Sequence, residues 1–291
     1  MKKYVLIRFV CTLLILCATS ITMAQIALNI DAGARGPQIG ARHYGIFFEE
    51  INHAGDGGLY AELIQNRSFE DNANNPNNWW TIGDATQTLV ATDLLNSVQT
   101  RALRIEFNGD GDGVRNEGFW GINSVSGRTY KFSFWAKSES GYDGQLTVRL
   151  EKEDGTSLGE SIVSAVLNDE WQKYSGELTA TGNDATAWFS LTGSKAGAIT
   201  IDMVSLFPPT YKNRENGCRI DLAEKLEAMH PAFVRFPGGC YVEGEWSDGK
   251  TNRFEWNNTI GPIEGRPGHR NVNWKYNVSD GLGFHEMLQL T

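Results

Sequence analysis

From about Trp79 to Pro208 apolar residues recur at every second position, with no convincing helix between the runs. A-L-R-I-E-F sets Leu103, Ile105 and Phe107 against Arg104 and Glu106, and Q-L-T-V-R-L-E does the same with Leu146, Val148 and Leu150. T-Y-K-F-S-F-W, T-A-W-F-S-L and A-I-T-I-D-M-V-S-L-F continue the pattern between turn clusters such as S-G-R-T and E-D-G-T. Successive side chains of a strand leave on opposite faces, so the pattern predicts many short strands, each with one face in a core. Such a run folds as a β-sandwich, and a jelly roll is the expected form.

On both sides the pattern changes. Y-G-I-F-F at 44–48 predicts a strand, and G-G-L-Y-A-E-L-I-Q-N from Gly57 predicts a helix with Leu59 and Leu63 on one face. Beyond the sandwich, Asp221 is an expected N-cap with Glu224 three residues on, and Leu222, Leu226 and Met229 recur at helical spacing until Pro231. A-F-V-R-F predicts a second strand, and a last helix is expected from near Asp280. This order reads as one α/β unit with a β-domain spliced into a loop. A (β/α)8 TIM barrel needs eight strands and roughly 250 residues, whereas the flanks offer two candidate strands. The sequence is therefore expected to hold the start of a barrel, incomplete and truncated within a helix.

Lys2, Lys3 and Arg8, an apolar run from Phe9 to about Ala18, and T-M-A-Q ending in the small Ala24 read as a secretory signal peptide over 1–24. The run is too short for a spanning helix, which needs about 20 residues; a lipoprotein signal at Cys17 is disfavoured by Leu16. Removing three positive charges and no negative ones takes the formal charge from −9 to −12. An acidic exported protein disfavours nucleic acid and anionic membrane as partners. Two cysteines, Cys218 and Cys240, remain beyond the leader; one pair is not a disulfide scaffold.

Three constellations carry chemistry. Glu49 and Glu50 follow the strand Y-G-I-F-F, where barrel enzymes place their sites. Alternation points only one of them at a pocket, and the plain alternative is a solvated strand end. In R-F-P-G-G-C-Y, Pro237 ends a strand, Gly238 and Gly239 allow close approach of a ligand, and Cys240 either lines a pocket or is a buried structural thiol. With no histidine partner evident, Cys240 is not read as a nucleophile. The loop I-G-P-I-E-G-R-P-G-H-R-N-V-N-W-K-Y-N carries Trp274 and Tyr276; Trp274 either stacks on a sugar or packs beneath the loop.

The remaining signals are weaker. N-G-D-G-D-G at 108–113 offers carboxylates to a structural calcium ion but breaks the EF-hand spacing after Asp112, and a solvated turn is the commoner reading. No two of His43, His53, His230, His269 and His285 have helical metal-ligand spacing, and no phosphate or dinucleotide motif is present. No cofactor and no metal site is expected. N-R-S, N-N-T and N-V-S are glycosylation sequons.

H-Y-G-I-F-F-E-E-I-N-H-A-G-D-G-G-L-Y-A-E-L-I-Q-N-R-S-F-E, with R-F-P-G-G-C-Y, W-N-N-T-I-G-P and W-K-Y-N-V-S-D-G-L-G, resembles the N-terminal part of glycoside hydrolase family 51 α-L-arabinofuranosidases. The inserted sandwich resembles a galactose-binding-like carbohydrate-binding module. The resemblance implies a signal peptide over 1–24, an N-terminal strand of a missing C-terminal β-sandwich over 25–37, barrel segments over 38–75 and 209–291, and the module over 76–208. It implies a retaining enzyme that removes terminal arabinofuranosyl residues from arabinoxylan or arabinan, with two carboxylates about 5 to 5.5 Å apart.

In the family both catalytic glutamates lie on later barrel strands, expected beyond Thr291, so no residue here takes either role. Glu49 matches a glutamate that hydrogen-bonds arabinose hydroxyls, Cys240 a pocket-lining position, and Trp274 an aromatic near the substrate entrance. Glu243 and Glu245 become loop residues. The expected partner is an arabinose-containing plant polysaccharide or oligosaccharide. Family members often form hexamers, so homo-oligomers are an expectation for the complete enzyme only. Export ends in the periplasm or outside the cell. Two alternatives stand beside this reading: a non-catalytic carbohydrate-binding protein, with Trp79, Trp80, Trp120, Trp135, Trp171 and Trp188 as stacking platforms, and another polysaccharide hydrolase of the same barrel superfamily.

Overall fold

The structure is a computed structural model that describes residues 27–163, 167–247 and 250–291. The expected signal peptide lies outside the described residues. Contacts divide the chain after Gly40. In the first unit, residues 27–40 hold no strand or helix; their ordered feature is a turn in which the Asp31 carboxylate accepts the Gly33 N–H at 2.9 Å.

The second unit begins with β1 (Ile46–Phe47) and then enters the sandwich. Its strands are β2 (Trp79–Ile82), β3 (Thr86–Val90), β4 (Ala102–Phe107), β5 (Gly113–Asn116), β6 (Ile122–Ser124), β7 (Thr129–Glu139), β8 (Leu146–Glu151), β9 (Ser157–Val163), β10 (Gln172–Thr179), β11 (Asp184–Gly193) and β12 (Gly197–Phe207). They form two antiparallel sheets, β10-β7-β12-β4-β3 and β2-β5-β11-β8-β9, with β6 also on β11. The alternating residues do what their period demands: Leu103, Ile105, Phe107, Val148 and Leu150 are fully buried in one core shared by both sheets. Each such side chain contributes about 1.5 to 3 kcal/mol of burial.

After the sandwich the chain returns to the first strand. β13 (Val234–Arg235) pairs in parallel with β1, Ile46 opposite Val234 and Phe47 opposite Arg235. Helix α1 (Ile220–Ala228) precedes β13, and α2 (Cys240–Glu243) follows it. Two hairpins come next, β14 (Trp246–Ser247) with β15 (Lys250–Thr251), and β16 (His269–Asn271) with β17 (Tyr276–Val278), before α3 (Phe284–Leu290). The parallel sheet is open, as expected of an incomplete barrel. Among the described residues no helix is long and apolar enough to cross a membrane.

Two local expectations are corrected. The helix from Gly57 is absent: a single π-type turn spans Gly55–Leu59, and the chain then runs extended. Ala61 N–H bonds to the Gly217 carbonyl and Leu63 N–H to that of Leu206, so the segment pairs with the chain leaving the sandwich instead of with itself. Leu59 and Tyr60 enter the α/β core while Ile64 enters the sandwich core, a division that a helix with one apolar face does not make. Asp221 is not an N-cap either; Arg219 occupies that position, and Asp221 in the first turn accepts its guanidinium at 2.7 Å.

Candidate active-site region

Both carboxylates after β1 are buried, Glu49 at 8% and Glu50 at 4% exposure, so the solvated strand end is excluded. They face different partners. Glu49 Oε1 accepts the Tyr241 backbone N–H at 2.6 Å, joining the end of β1 to the turn after β13. Gly238, at φ +127°, makes this approach feasible: a Cβ there would lie 2.5 Å from Glu49 Cβ. Gly239 passes the same carboxylate, with its Cβ position 3.4 Å from Oε2. Cys240 is exposed beside them and is a free thiol, so the buried structural thiol is excluded. Its carbonyl accepts the Asn273 amide at 3.0 Å, fastening the turn to the β16–β17 hairpin.

Glu50 turns the other way. Tyr276 donates its hydroxyl to Oε1 at 2.7 Å, and the Asp56 N–H reaches Oε2 at 3.2 Å. Burial, reinforced by the charge of Asp56, pushes the Glu50 carboxyl up to about 8. Asp56 is itself raised by burial, although Ser279 donates to it through its N–H at 2.6 Å and its hydroxyl at 2.9 Å. A Cβ at Gly55 would overlap Glu50 Oε2, so glycine there lets the carboxylate lie against the backbone. Asn271 donates to the Glu50 carbonyl at 2.9 Å, so the hairpin clasps the strand end from one side while Gly238–Tyr241 clasps it from the other.

Trp274 is half-buried and packs on the small cluster of Tyr241, Phe254 and Val278. Glu49, Cys240 and Trp274 are thus gathered around one turn. Glu243 and Glu245 are both exposed, but only Glu245 is a loop residue; Glu243 ends α2. Sequence reasoning missed Asp56, Asn271, Tyr276 as a hydrogen-bond donor, and Arg266. The Arg266 side chain is buried and holds Glu286 at 2.8 Å together with the Gly261, Asp280 and Gly281 carbonyls, shaping the 261–268 loop. G-D-G-G after the carboxylate pair was the available signal for Asp56, because glycines around an acid mark a close approach.

The 108–113 turn is organised by backbone amides: Asp112 accepts the Asp84 N–H at 2.9 Å and the Asn108 N–H at 2.8 Å. Among the described residues no group of three metal-ligating side chains is assembled. Of the tryptophans proposed as platforms, Trp79 belongs to the core, while Trp80 and Trp120 are exposed at 39% and 73%.

A polar site at the carboxyl ends of two parallel strands, with a β-sandwich carried in the connection between them, defines a two-part protein, α/β and all-β. Comparison with known proteins agrees. Residues 61–197 match the carbohydrate binding domain family and residues 225–291 the alpha-L-arabinofuranosidase 1 domain family. The chain is 41% identical over 283 residues to Alpha-L-arabinofuranosidase 1 of Arabidopsis thaliana, covering 91% of this chain and 41% of that protein. It is 39% identical over 280 residues to an extracellular exo-alpha-L-arabinofuranosidase of Streptomyces chartreusis, covering 91% and 33%. Its fold superposes on an arabinose-bound MgGH51 α-L-arabinofuranosidase with a TM-score of 0.80 and 37% identity, over 85% of this chain and 42% of that one. In sequence and fold the chain corresponds to the N-terminal region of glycoside hydrolase family 51 α-L-arabinofuranosidases, with a carbohydrate-binding domain inside it. It spans about two fifths of the length of the first of these curated relatives.

Proposed function

We propose that this chain forms one wall of the arabinose pocket of an exported, retaining α-L-arabinofuranosidase acting on arabinoxylan, arabinan or related plant polysaccharides. The observation that carries this is the junction of Glu49 with Gly238–Tyr241, where a buried carboxylate from one parallel strand meets the glycine turn of the next, beside the exposed Cys240. Glu49 Oε1 is held by a backbone amide, which leaves Oε2 to accept a sugar hydroxyl. Cys240 lines the pocket and Trp274 stands near its entrance. The chemistry of retention needs a nucleophile and an acid/base; in this reading both come from later barrel strands, and neither role is assigned to a residue of this sequence.

The test is hydrolysis of an aryl α-L-arabinofuranoside by protein that includes the later barrel strands, with and without Glu49→Gln. A hydroxyl contact that strengthens in the transition state predicts a loss in kcat/KM of about a hundredfold or more. Unchanged turnover in the variant removes Glu49 from the pocket.

A further inference from the structure

A cavity lies beside Asp56 and Tyr276, the partners of Glu50, away from the Gly238–Tyr241 turn. It occupies about 280 Å³ between segment 62–71 and the β16–β17 hairpin, and neither Glu49 nor Cys240 lines it. One wall is aromatic: His53, Phe119 and Tyr276, with the His53 and Tyr276 rings stacked at 3.8 Å. The opposite character comes from Asp71 and Arg270, which line it from different elements. The Arg270 charge favours the Asp71 carboxylate and Arg270 is exposed, but neither side chain makes a hydrogen bond or salt bridge among the described residues, so both keep their hydrogen-bonding capacity for a ligand.

Trp120 adjoins this cavity. It comes from the inserted sandwich, is 73% exposed, and sets its ring edge-on to His53 at 5.5 Å and beside Phe119 at 6.4 Å. Its φ of +60° is unusual for an aromatic residue, and glycines on both sides, Gly118 at +67° and Gly121 at +101°, seat the turn against Leu63 and Thr186. The chain thus holds a large apolar ring out in water at a fixed place, on the seam between the two parts of the fold.

We infer that this seam cavity, with Trp120 beside it, is a sugar-binding site separate from the arabinose pocket, taking one neutral pentose or hexose unit. The size fits: small-molecule sites begin near 300 Å³, so a single ring is accommodated and a chain segment is not. An anion is disfavoured because the four acids Asp56, Glu62, Glu70 and Asp71 outnumber the two arginines, Arg67 and Arg270, that border the space. Burial lowers the His53 imidazole, which keeps that wall uncharged, and raises Asp71 to about 7. An uncharged ligand with many hydroxyls satisfies an unpaired carboxyl, an unpaired guanidinium and an aromatic wall together.

The inference does not depend on the catalytic reading, and the test reads binding without turnover. The 291-residue chain is titrated with L-arabinose, D-xylose and an arabinoxylo-oligosaccharide while the side-chain N–H resonances of Trp120 and Asn277 are followed by NMR. Saturable shifts at both are expected, and Trp120→Ala and Asp71→Asn each weaken the affinity about tenfold, while Glu49→Gln leaves it unchanged. Trp120 is exposed and the Asp71 carboxyl is unpaired, so neither change threatens folding, which circular dichroism checks. The inference is overturned by absence of saturable shifts with all three sugars, by shifts confined to residues around Glu49 and Cys240, or by an affinity in both seam variants equal to the parent's.

Discussion

The Tyr276 hydroxyl donates to Glu50 Oε1 at 2.7 Å and accepts the His53 backbone N–H at 2.8 Å, so one phenol ties the β16–β17 hairpin to the carboxylate pair at the end of β1. Removing it leaves a buried carboxyl short of a donor and an amide short of an acceptor. Tyr276→Phe is expected to cost about 1 to 3 kcal/mol of unfolding free energy. Urea denaturation with an unchanged m-value checks this, and a midpoint equal to the parent's refutes it.

The same carboxyl makes stability depend on pH. The folded protein holds the Glu50 proton up to about 8, whereas the unfolded chain releases it near 4.5. Between those values the native state binds more protons than the unfolded one, so its contribution is complete below 4.5 and is lost as pH rises toward 8. The slope is up to about 1.4 kcal/mol per pH unit. Unfolding free energy measured at pH 5, 6.5 and 8 should fall, and Glu50→Gln should flatten that fall. A parent profile that rises over this window contradicts the assignment.

Gly238 tests the pocket wall without touching a charge. Its φ of +127° and the 2.5 Å approach of Glu49 leave no room for a methyl group. Gly238→Ala is expected to destabilise by about 1 to 3 kcal/mol from backbone strain alone. It should also displace Tyr241 N–H from Glu49, visible as a shifted amide resonance for Tyr241. An unperturbed Tyr241 amide would show that the contact is not what holds the turn.

Cys218 and Cys240 should differ sharply toward an alkylating reagent. Cys240 is exposed, whereas Cys218 lies at 5% exposure in the α/β core and burial pushes its thiol up to about 12. Thiolate is the reactive form. Peptide mass spectrometry after iodoacetamide at pH 8 should find Cys240 modified and Cys218 protected until denaturant is added.

How much of this was legible depended on whether a residue's neighbours are close in sequence. The sandwich was, because Leu103, Ile105 and Phe107 alternate with Arg104 and Glu106 and the single core obeys that period. The Glu49 contact with R-F-P-G-G-C-Y was legible only through the family motif. The burial of Glu50 was not: alternation assigns one carboxylate to a pocket and the other to solvent, but here segments 271–276 and 238–241 cover both faces of the strand end. Leu59 and Leu63 mimicked a helix for the opposite reason, since their local spacing was right while each belongs to a different core. Asp56 had only its flanking glycines as a local signal and Arg266 had none; their partners Ser279 and Glu286 are distant in sequence.

Glu62 shows how the sandwich is fastened, and it gives the last prediction. At 3% exposure its Oε1 accepts the Ile64 and Leu206 N–H groups at 3.0 and 2.8 Å, and its Oε2 accepts the Ser205 hydroxyl at 2.6 Å and the Arg67 guanidinium at 3.3 Å. One carboxylate thus pins the strand leaving the sandwich to the segment leading into it. Arg67 also donates to the Tyr60 hydroxyl at 3.0 Å, but its Nε and Nη2 have no partner among the described residues. Arg67→Met strands the Glu62 charge and should cost about 3 to 5 kcal/mol, as breaking a buried pair does. Adding Glu62→Gln removes that stranded charge and keeps an acceptor for the two amides, so the double variant should be more stable than the sum of the single losses by about 1 kcal/mol or more. Urea unfolding of the four proteins measures this coupling. Strict additivity would mean that the backbone amides and Ser205, and not the ion pair, hold the sandwich in place.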